Sequence, residues 1–358
     1  MRLLFAPDSF KGSLSSLECI ELLKKAAAQC FDSPVIYSVP VADGGEGTVD
    51  AVLEAVGCMA CFAQVTGPDG RIVTAKYGVF DNQTGAVIEM AAASGLPLVP
   101  AGKNNPRTAT SYGTGQLINL IIESGIRKLI IGIGGSATND GGMGCLCALG
   151  ARFLDTDGNN LAGCGANLIK VAKIDLTNLN PLLKETDISV ICDVTNPLLG
   201  PSGATYIYGP QKGADEMDLS ELEAGMAHYA DIFYKHLGID IANFPGAGAA
   251  GGMGGILKGV LGASLTPGID AILELARFDE LADKTDLVIT GEGRFDGQSV
   301  RFNKVPAGIV TRCRGKNIPV AIIAGSIGSD AEYIYDYHLV SIMPIVKGPM
   351  TLQDAIEN

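Results

Sequence analysis

An α/β protein is the expectation for this sequence, and three observations carry it. Short apolar runs alternate with segments whose apolar residues recur at helical spacing. The alternation both opens and closes the chain. Apolar runs also break repeatedly into glycine- and acid-rich loops, as they do at the carboxyl edge of parallel sheets. Two α/β domains are therefore expected. Residues 1–60 and 265–358 form a discontinuous Rossmann/flavodoxin-like domain with a parallel sheet, and residues 61–264 form an inserted mixed α/β domain.

The elements follow in order. LLFA (3–6) reads as a buried parallel strand. Ser13 and Ser15 are candidate caps for a helix over 16–29, with Leu17, Ile20, Leu23 and Ala27 at helical spacing. VIYSV (35–39) is the next strand, and Val49, Val52, Leu53 and Val56 predict a helix over 48–56. From Cys58 to Ala93 the period falls to two. Segments near 60–66, 72–80 and 86–91, split by PDG (68–70) and DNQTG (81–85), predict a small meander. A helix over 114–124, strands at KLIIGI (128–133) and ISVIC (188–192), and a helix over 218–237 follow. The end of the chain predicts strands at 286–290, 319–324 and 338–342 with helices near 305–315 and 330–336.

Composition excludes several classes. A hydrophobic content of 47% with 18% charge is that of a globular protein. The net charge of −13 repels phosphate backbones and anionic lipids, so neither nucleic acid nor a membrane surface is an expected partner. The nine cysteines are odd in number in a long chain, which argues against a disulfide framework and for small buried apolar residues. The apolar start breaks at Pro7 and Asp8, too short for a signal peptide, and no apolar run reaches membrane-spanning length. A soluble cytoplasmic protein is expected.

Glycine is enriched, with 47 residues, and the glycines gather where strands end. Five junctions stand out: LLFA into PDSFKGS, YSVPV into ADGGEGT, LIIGI into GGSATNDGG, VIC into DVTNPL, and LVIT into GEGRFDGQS. Each acid has a plainer reading. Asp8 and Ser9 could cap a turn, Asp43 could close an Asx turn, and Glu46 could favour a helix dipole. Five such loops in one chain favour a shared ligand site. GIGGSA (132–137) matches G-x-G-x-x-A, with Asp155 or Asp157 as the ribose acid a dinucleotide site would need. No helix begins cleanly after it, although its amides suit an anion. GAGAAG (246–251) follows NFP and no apolar strand, so close packing or a turn is expected there. A Walker A loop is absent.

Only His228, His236 and His338 occur, none in a glycine loop. A histidine triad or histidine metal site is thereby disfavoured. A general base would be a carboxylate, and a metal would be a hard, oxygen-bound ion such as Mg2+. The loops supply Asp8, Asp43, Glu46, Asp140, Asp193, Glu292 and Asp296, with Lys11, Lys212, Arg294 and Lys304 as cations. Carboxylates, lysines and amide nests are the parts of phosphoryl transfer.

APDSFKGSLS (6–15), PVADGGEGTVDA (40–51), IGIGGSATNDGG (131–142), CDVTNPLLGPSGA (192–204), YGPQKGA (208–214), PGAGAAGGMGG (245–255) and VITGEGRFDGQS (288–299) together resemble the bacterial glycerate kinase family, in particular members resembling glycerate 2-kinases. The resemblance spans nearly the whole chain. It departs at SVRFNKVPAG (299–308), where Phe302 and Asn303 stand in place of a single glycine. It implies ATP-dependent phosphorylation of D-glycerate with Mg2+, 2-phosphoglycerate favoured, in organic-acid catabolism, and a cleft between two domains. On that footing Asp193 is the first candidate for the base, with Asp43 next. Lys11 and Lys212 would neutralise phosphate charge, and Arg294 could fork onto the substrate carboxylate. Substrate and phosphate contacts are expected from Asp8, Ser9, Gly44, Gly45, Gly134, Gly135, Ser136, Thr138, Asn139, Asp140, Asn196, Gln211, Lys212, Glu292, Arg294, Ser299 and Lys304. Glu46 or Asp296 would hold Mg2+. A kinase for another small hydroxy acid or sugar acid, and a non-catalytic metabolite-binding protein, are the alternatives. Homo-oligomerisation stays open.

Overall fold

The computed structural model describes residues 1–10, 13–41, 59–80, 83–100, 102–301, 303–346, 348 and 350–357. The helix expected over 48–56 lies outside them, as do Lys11, Asp43, Gly44, Gly45 and Glu46. The described strands are β1 (Arg2–Phe5), β2 (Val35–Ser38), β3 (Met59–Thr66), β4 (Ile72–Phe80), β5 (Gly85–Glu89), β6 (Lys128–Gly132), β7 (Arg152–Leu154), β8 (Lys173–Asp175), β9 (Asp187–Ile191), β10 (Ser264–Thr266), β11 (Leu287–Phe295), β12 (Val320–Ile327) and β13 (Val340–Pro344). They make a mixed α/β protein that divides into two compact units, one joining the N-terminal segment to Gly268–Asn358, the other built around Cys58–Pro267.

The first unit holds a five-stranded sheet in the order β13-β12-β11-β1-β2. Every pairing in it is parallel. Counting strands along this unit alone, the order is 2-1-3-4-5, the flavodoxin-like winding. Its switch point lies between β1 and β11, where ligands of such sheets collect. Leu3, Leu4 and Phe5 are fully buried, as a central parallel strand requires. The helix Ser16–Cys30 starts at a capping box between Ser15 and Glu18. Its buried face is Cys19, Ile20 and Ala27, whereas Leu17, expected on that face, is exposed.

Two expectations for this unit need correction. The strand expected at 286–290 runs on to Phe295, so GEGRF is strand and not loop. Glu292 pairs with Ala324 and Arg294 with Ser326 along β12. Gly291 permits this, because a Cβ there would run into the carbonyl of Ile323. The helix expected at 330–336 is a 3-10 helix, Ala331–Asp336.

The second unit holds a six-stranded sheet in the order β10-β9-β6-β5-β4-β3. The run from β5 through β6 and β9 to β10 is parallel, and β3 and β4 add the expected antiparallel meander. The carboxyl ends of β6 and β9 are adjacent, so the loops after them share one edge of the sheet. The long helix Glu216–Leu237 packs Tyr229 and Phe233 edge to face at 4.9 Å beside Phe153. Among the described residues no helix is long and apolar enough to cross a membrane.

The histidines keep to structural places. His228 bonds the carbonyl of Val171 and His338 that of Ile318, while His236 is exposed. The described cysteines are free thiols; Cys19, Cys145 and Cys313 are buried and Cys30 is exposed. Asp155 accepts the amides of Asp157 and Asn159, closing its own turn, and Asp157 is exposed on that turn.

Candidate functional site

In the second unit the loop after β6 curls back under its own glycines. Gly135, Gly141 and Gly142 have φ of 69°, 58° and 70°, a region in which a side chain would strain the backbone. Gly134 and Gly135 are exposed, while Ser136, Thr138, Asn139 and Asp140 are buried. Met143 opens the next helix only after the curl, so the G-x-G-x-x-A stretch is not a Rossmann turn. The GAGAAG segment packs onto the same loop. Gly141 N donates to Gly251 O at 2.9 Å, and a Cβ on Gly251 would overlap Thr138 O. Its glycines therefore serve close backbone approach.

Asp140 is fully buried in a cage of donors. Its Oδ2 accepts Ser111 N at 2.8 Å, Ser111 Oγ at 2.7 Å and Gly144 N at 3.3 Å, and its Oδ1 accepts Gly142 N at 3.1 Å. Burial raises its pKa, and these hydrogen bonds oppose the rise. Its carboxylate is spent on shaping the loop. Ser111 was not legible as a partner: it lies 29 residues away, without a motif. Its Oγ also accepts Cys145 N at 2.9 Å, tying the cage to the helix Met143–Ala148.

Lys212 is 2% exposed. Its Nζ donates to Ser136 Oγ at 2.9 Å and to Thr138 O at 2.6 Å. Burial lowers its pKa to about 7, and Asp140 opposes that shift. Asn139 Nδ2 donates to Thr205 Oγ1 at 3.2 Å, while Asn139 Oδ1 and Thr138 Oγ1 are buried without partners. Unpaired buried acceptors are costly and are commonly kept for a ligand or water. Beside this loop, past the end of β9, Asp193 is exposed. Asn196 Nδ2 donates to Ser202 O and its Oδ1 accepts the Tyr208 hydroxyl, so this side chain braces its own loop. Gln211 is exposed next to Lys212.

In the first unit a second group forms at the switch point. Asp8 N donates to Gly291 O at 2.8 Å, setting the turn after β1 against β11. Asp8 Oδ1 accepts Ser9 N at 2.7 Å. Glu292 is 8% exposed, and its pKa is raised to about 7. Burial is the main cause, with Asp8 and Asp296 adding like charge and Lys304 opposing it. Ser299 approaches and favours the charged form, yet neither Glu292 Oε1 nor Ser299 Oγ completes a hydrogen bond. Lys304 is exposed at the N-cap of the helix Val305–Arg314. Asn303, where the family pattern departs, has φ of 48°, a conformation asparagine tolerates better than most side chains. Arg294 is exposed, and its Nε donates to Asp296 Oδ2 at 3.2 Å. Asp296 Oδ1 accepts Gln298 N at 2.9 Å, so this carboxylate is already engaged on both oxygens.

The structure thus gathers Ser136, Thr138, Asn139, Asp140 and Lys212 in one unit and Asp8, Glu292, Asp296, Ser299 and Lys304 in the other. No group of three or more acidic, histidine or cysteine side chains suited to a metal is found among the described residues. The fit to Mg2+ is narrower: Asp8 and Glu292 are two neighbouring carboxylates, one with an orphaned oxygen. Mg2+ on a nucleotide takes one or two carboxylates and fills its sphere with phosphate and water.

Comparison with known proteins agrees over the full length. Residues 3–358 match the glycerate kinase family. The chain is 45% identical to the glycerate kinase of Bacillus subtilis (strain 168), over all of this chain and 94% of that protein. It is also 45% identical to the glycerate 2-kinase of Escherichia coli (strain K12), over 99% of this chain and 93% of that one. A crystal structure from Salmonella typhimurium LT2, assigned as glycerate kinase 2, superposes with a TM-score of 0.87 at 41% identity, covering 100% of this chain and 93% of that chain. Buried charge at the carboxyl edges of two sheets and this full-length agreement lead to one conclusion: the chain belongs to the glycerate kinase family.

Proposed function

We propose that this protein transfers the γ-phosphoryl group of ATP to the C2 hydroxyl of D-glycerate, in the cytoplasm, as a step of organic-acid catabolism. The observation that carries the reading is the edge of the second sheet. There, buried Lys212 fixes the curled loop after β6 beside the exposed carboxylate of Asp193 after β9. A phosphoryl-transfer site needs little more from a protein than fixed charge, fixed amides and a proton acceptor. The 2-position is favoured by the E. coli relative named glycerate 2-kinase.

In this reading Asp193 accepts the proton of the attacking hydroxyl, with Asp43 as the second candidate. Lys212 lends positive charge to the loop and holds the Ser136 hydroxyl in place. Gly134 and Gly135, exposed in the curl, bring backbone amides to phosphate oxygens. In the first unit Asp8 and Glu292 would hold Mg2+, which supplies charge neutralisation on the nucleotide when bound. Lys304 and Arg294 add positive charge on the same unit, and either suits the substrate carboxylate.

Phosphorus NMR of a reaction with ATP, Mg2+ and D-glycerate tests the assignment directly. The expected product is 2-phosphoglycerate; 3-phosphoglycerate overturns the regiochemistry, and no turnover overturns the activity. Asp193→Asn tests the base. Its kcat is expected to fall about 10²–10⁴-fold with little change in Tm, since the side chain is exposed. Near-normal turnover removes Asp193 from the role.

A further inference from the structure

The second unit carries a cleft of about 650 Å³ that uses none of the residues assigned above. Pro68, Tyr112, Phe153, Leu161 and Ala162 give it a largely apolar wall, and Arg152 stands in its lining. Clefts of this size and character, apolar with a few fixed polar groups, are the usual form of small-molecule sites. Arg152 Nε donates to Asn160 Oδ1 at 3.1 Å, which orients the guanidinium. Asp175, opposite it on β8, spends Oδ1 on Thr177 N and Oγ1. The acid in the wall, Asp69, is held by Arg71, whose Nε donates to Oδ2 at 2.7 Å, so its charge is offset. Cys147 and Cys164 also line the cleft. Burial raises both thiols, Cys147 to about 12, so they act as apolar wall and not as nucleophiles.

The cleft and the Asp140 cage share backbone. Thr110 and Tyr112 line the cleft on either side of Ser111, whose amide and hydroxyl hold Asp140. Cys147 lines it from the short helix whose Gly144 N also donates to Asp140. Gly163, another lining residue, lies so close to Gly144 that a Cβ on it would overlap the Gly144 backbone.

We propose that this cleft is a regulatory site for a compact organic anion with an apolar body, its carboxylate or sulfonate on Arg152, and that occupancy stiffens the cage around Asp140. The inference concerns binding and loop stiffness, so it stands or falls apart from the proposed reaction. The probe is 1-anilinonaphthalene-8-sulfonate, an aromatic monoanion, titrated by fluorescence into the full chain, Arg152→Gln and Ala162→Trp. Both positions are solvent-facing, so both variants should keep the parent circular dichroism and Tm. The expected result is one saturable equivalent, weakened about ten-fold or more by either substitution, as loss of a charged hydrogen bond or blockage of the mouth requires. Hydrogen exchange across residues 140–148 should slow on saturation, and Arg152→Gln should abolish the slowing at the same probe concentration. Absence of saturable binding, affinity unchanged in either variant, or saturation without slowed exchange overturns the proposal.

Discussion

Lys212 in the second unit and Glu292 in the first are both desolvated until their pKa values meet near 7, one from above and one from below. Their surroundings differ. Lys212 gives two of its three protons to Ser136 Oγ and Thr138 O, and Asp140 beside it takes four hydrogen bonds. Glu292 has an oxygen with no partner, next to a serine hydroxyl with none, and Asp8 and Asp296 add like charge that Lys304 only partly opposes. The Lys212 and Asp140 charges are already satisfied and act as framework, although Thr138 Oγ1 and Asn139 Oδ1 beside them are left open. The Glu292 arrangement is left incomplete, and a cation would complete it. The difference teaches that burial alone does not tell a structural charge from a ligand-ready one; the count of satisfied bonds does.

The largest test of that contrast is Asp140→Ala. Removing a fully buried, fully bonded carboxylate leaves Ser111 N, Gly142 N and Gly144 N without acceptors and Lys212 without its opposing charge. A loss of about 3–5 kcal/mol in urea unfolding is expected. A loss below about 1 kcal/mol would show that the cage is not framework.

The next test uses pH, because the two groups act with opposite signs. The folded state raises Glu292 from 4.5 to about 7, so between those values it binds more protons than the unfolded chain. Stability therefore falls as pH rises through that window and is flat above it. Lys212 is lowered from 10.5 to about 7, so there the unfolded chain binds more protons and stability rises with pH across that range. Glu292→Gln should remove an acid-side change of about 3 kcal/mol, and Lys212→Met an alkaline-side change of about 5 kcal/mol. Asp140, also raised by burial, adds to the acid-side slope but stays in both proteins of the Glu292 comparison. Denaturant midpoints from pH 5 to 10 decide it; equal slopes in parent and variants would break the contrast. Adding Mg2+ near pH 7 should stabilise the parent and not Glu292→Gln.

How far the sequence could have led here differs by element. LLF and KLIIG were legible because strands buried on both faces must be apolar throughout. GEGRF was not, since glycine and charge look like a turn. What makes it strand is pairing with β12, a partner about 30 residues away whose carbonyl at Ile323 leaves no room for a Cβ at Gly291. In the site, Asp140 and Lys212 were legible as interesting residues but not as framework. That distinction depends on Ser111, Thr138 and Gly144 reaching them across the fold, and local spacing carries no trace of such bonds. Asn303 could have been read as a glycine substitute from its tolerance of positive φ.

The smallest and sharpest comparison is between two buried serines. Ser111 Oγ donates to Asp140 and accepts Cys145 N. Ser299 Oγ is buried with no partner beside Glu292. Ser111→Ala therefore strips a charged acceptor and a helix amide at once, for about 2–3 kcal/mol. Ser299→Ala removes a hydroxyl that completes no hydrogen bond and only approaches Glu292, so stability should change by less than about 1 kcal/mol. The two substitutions delete the same atom in equally dry places, so the difference between them isolates bond satisfaction from burial. Equal losses in urea unfolding would mean that Ser299 is bonded through a water and that the first-unit group is as complete as the second.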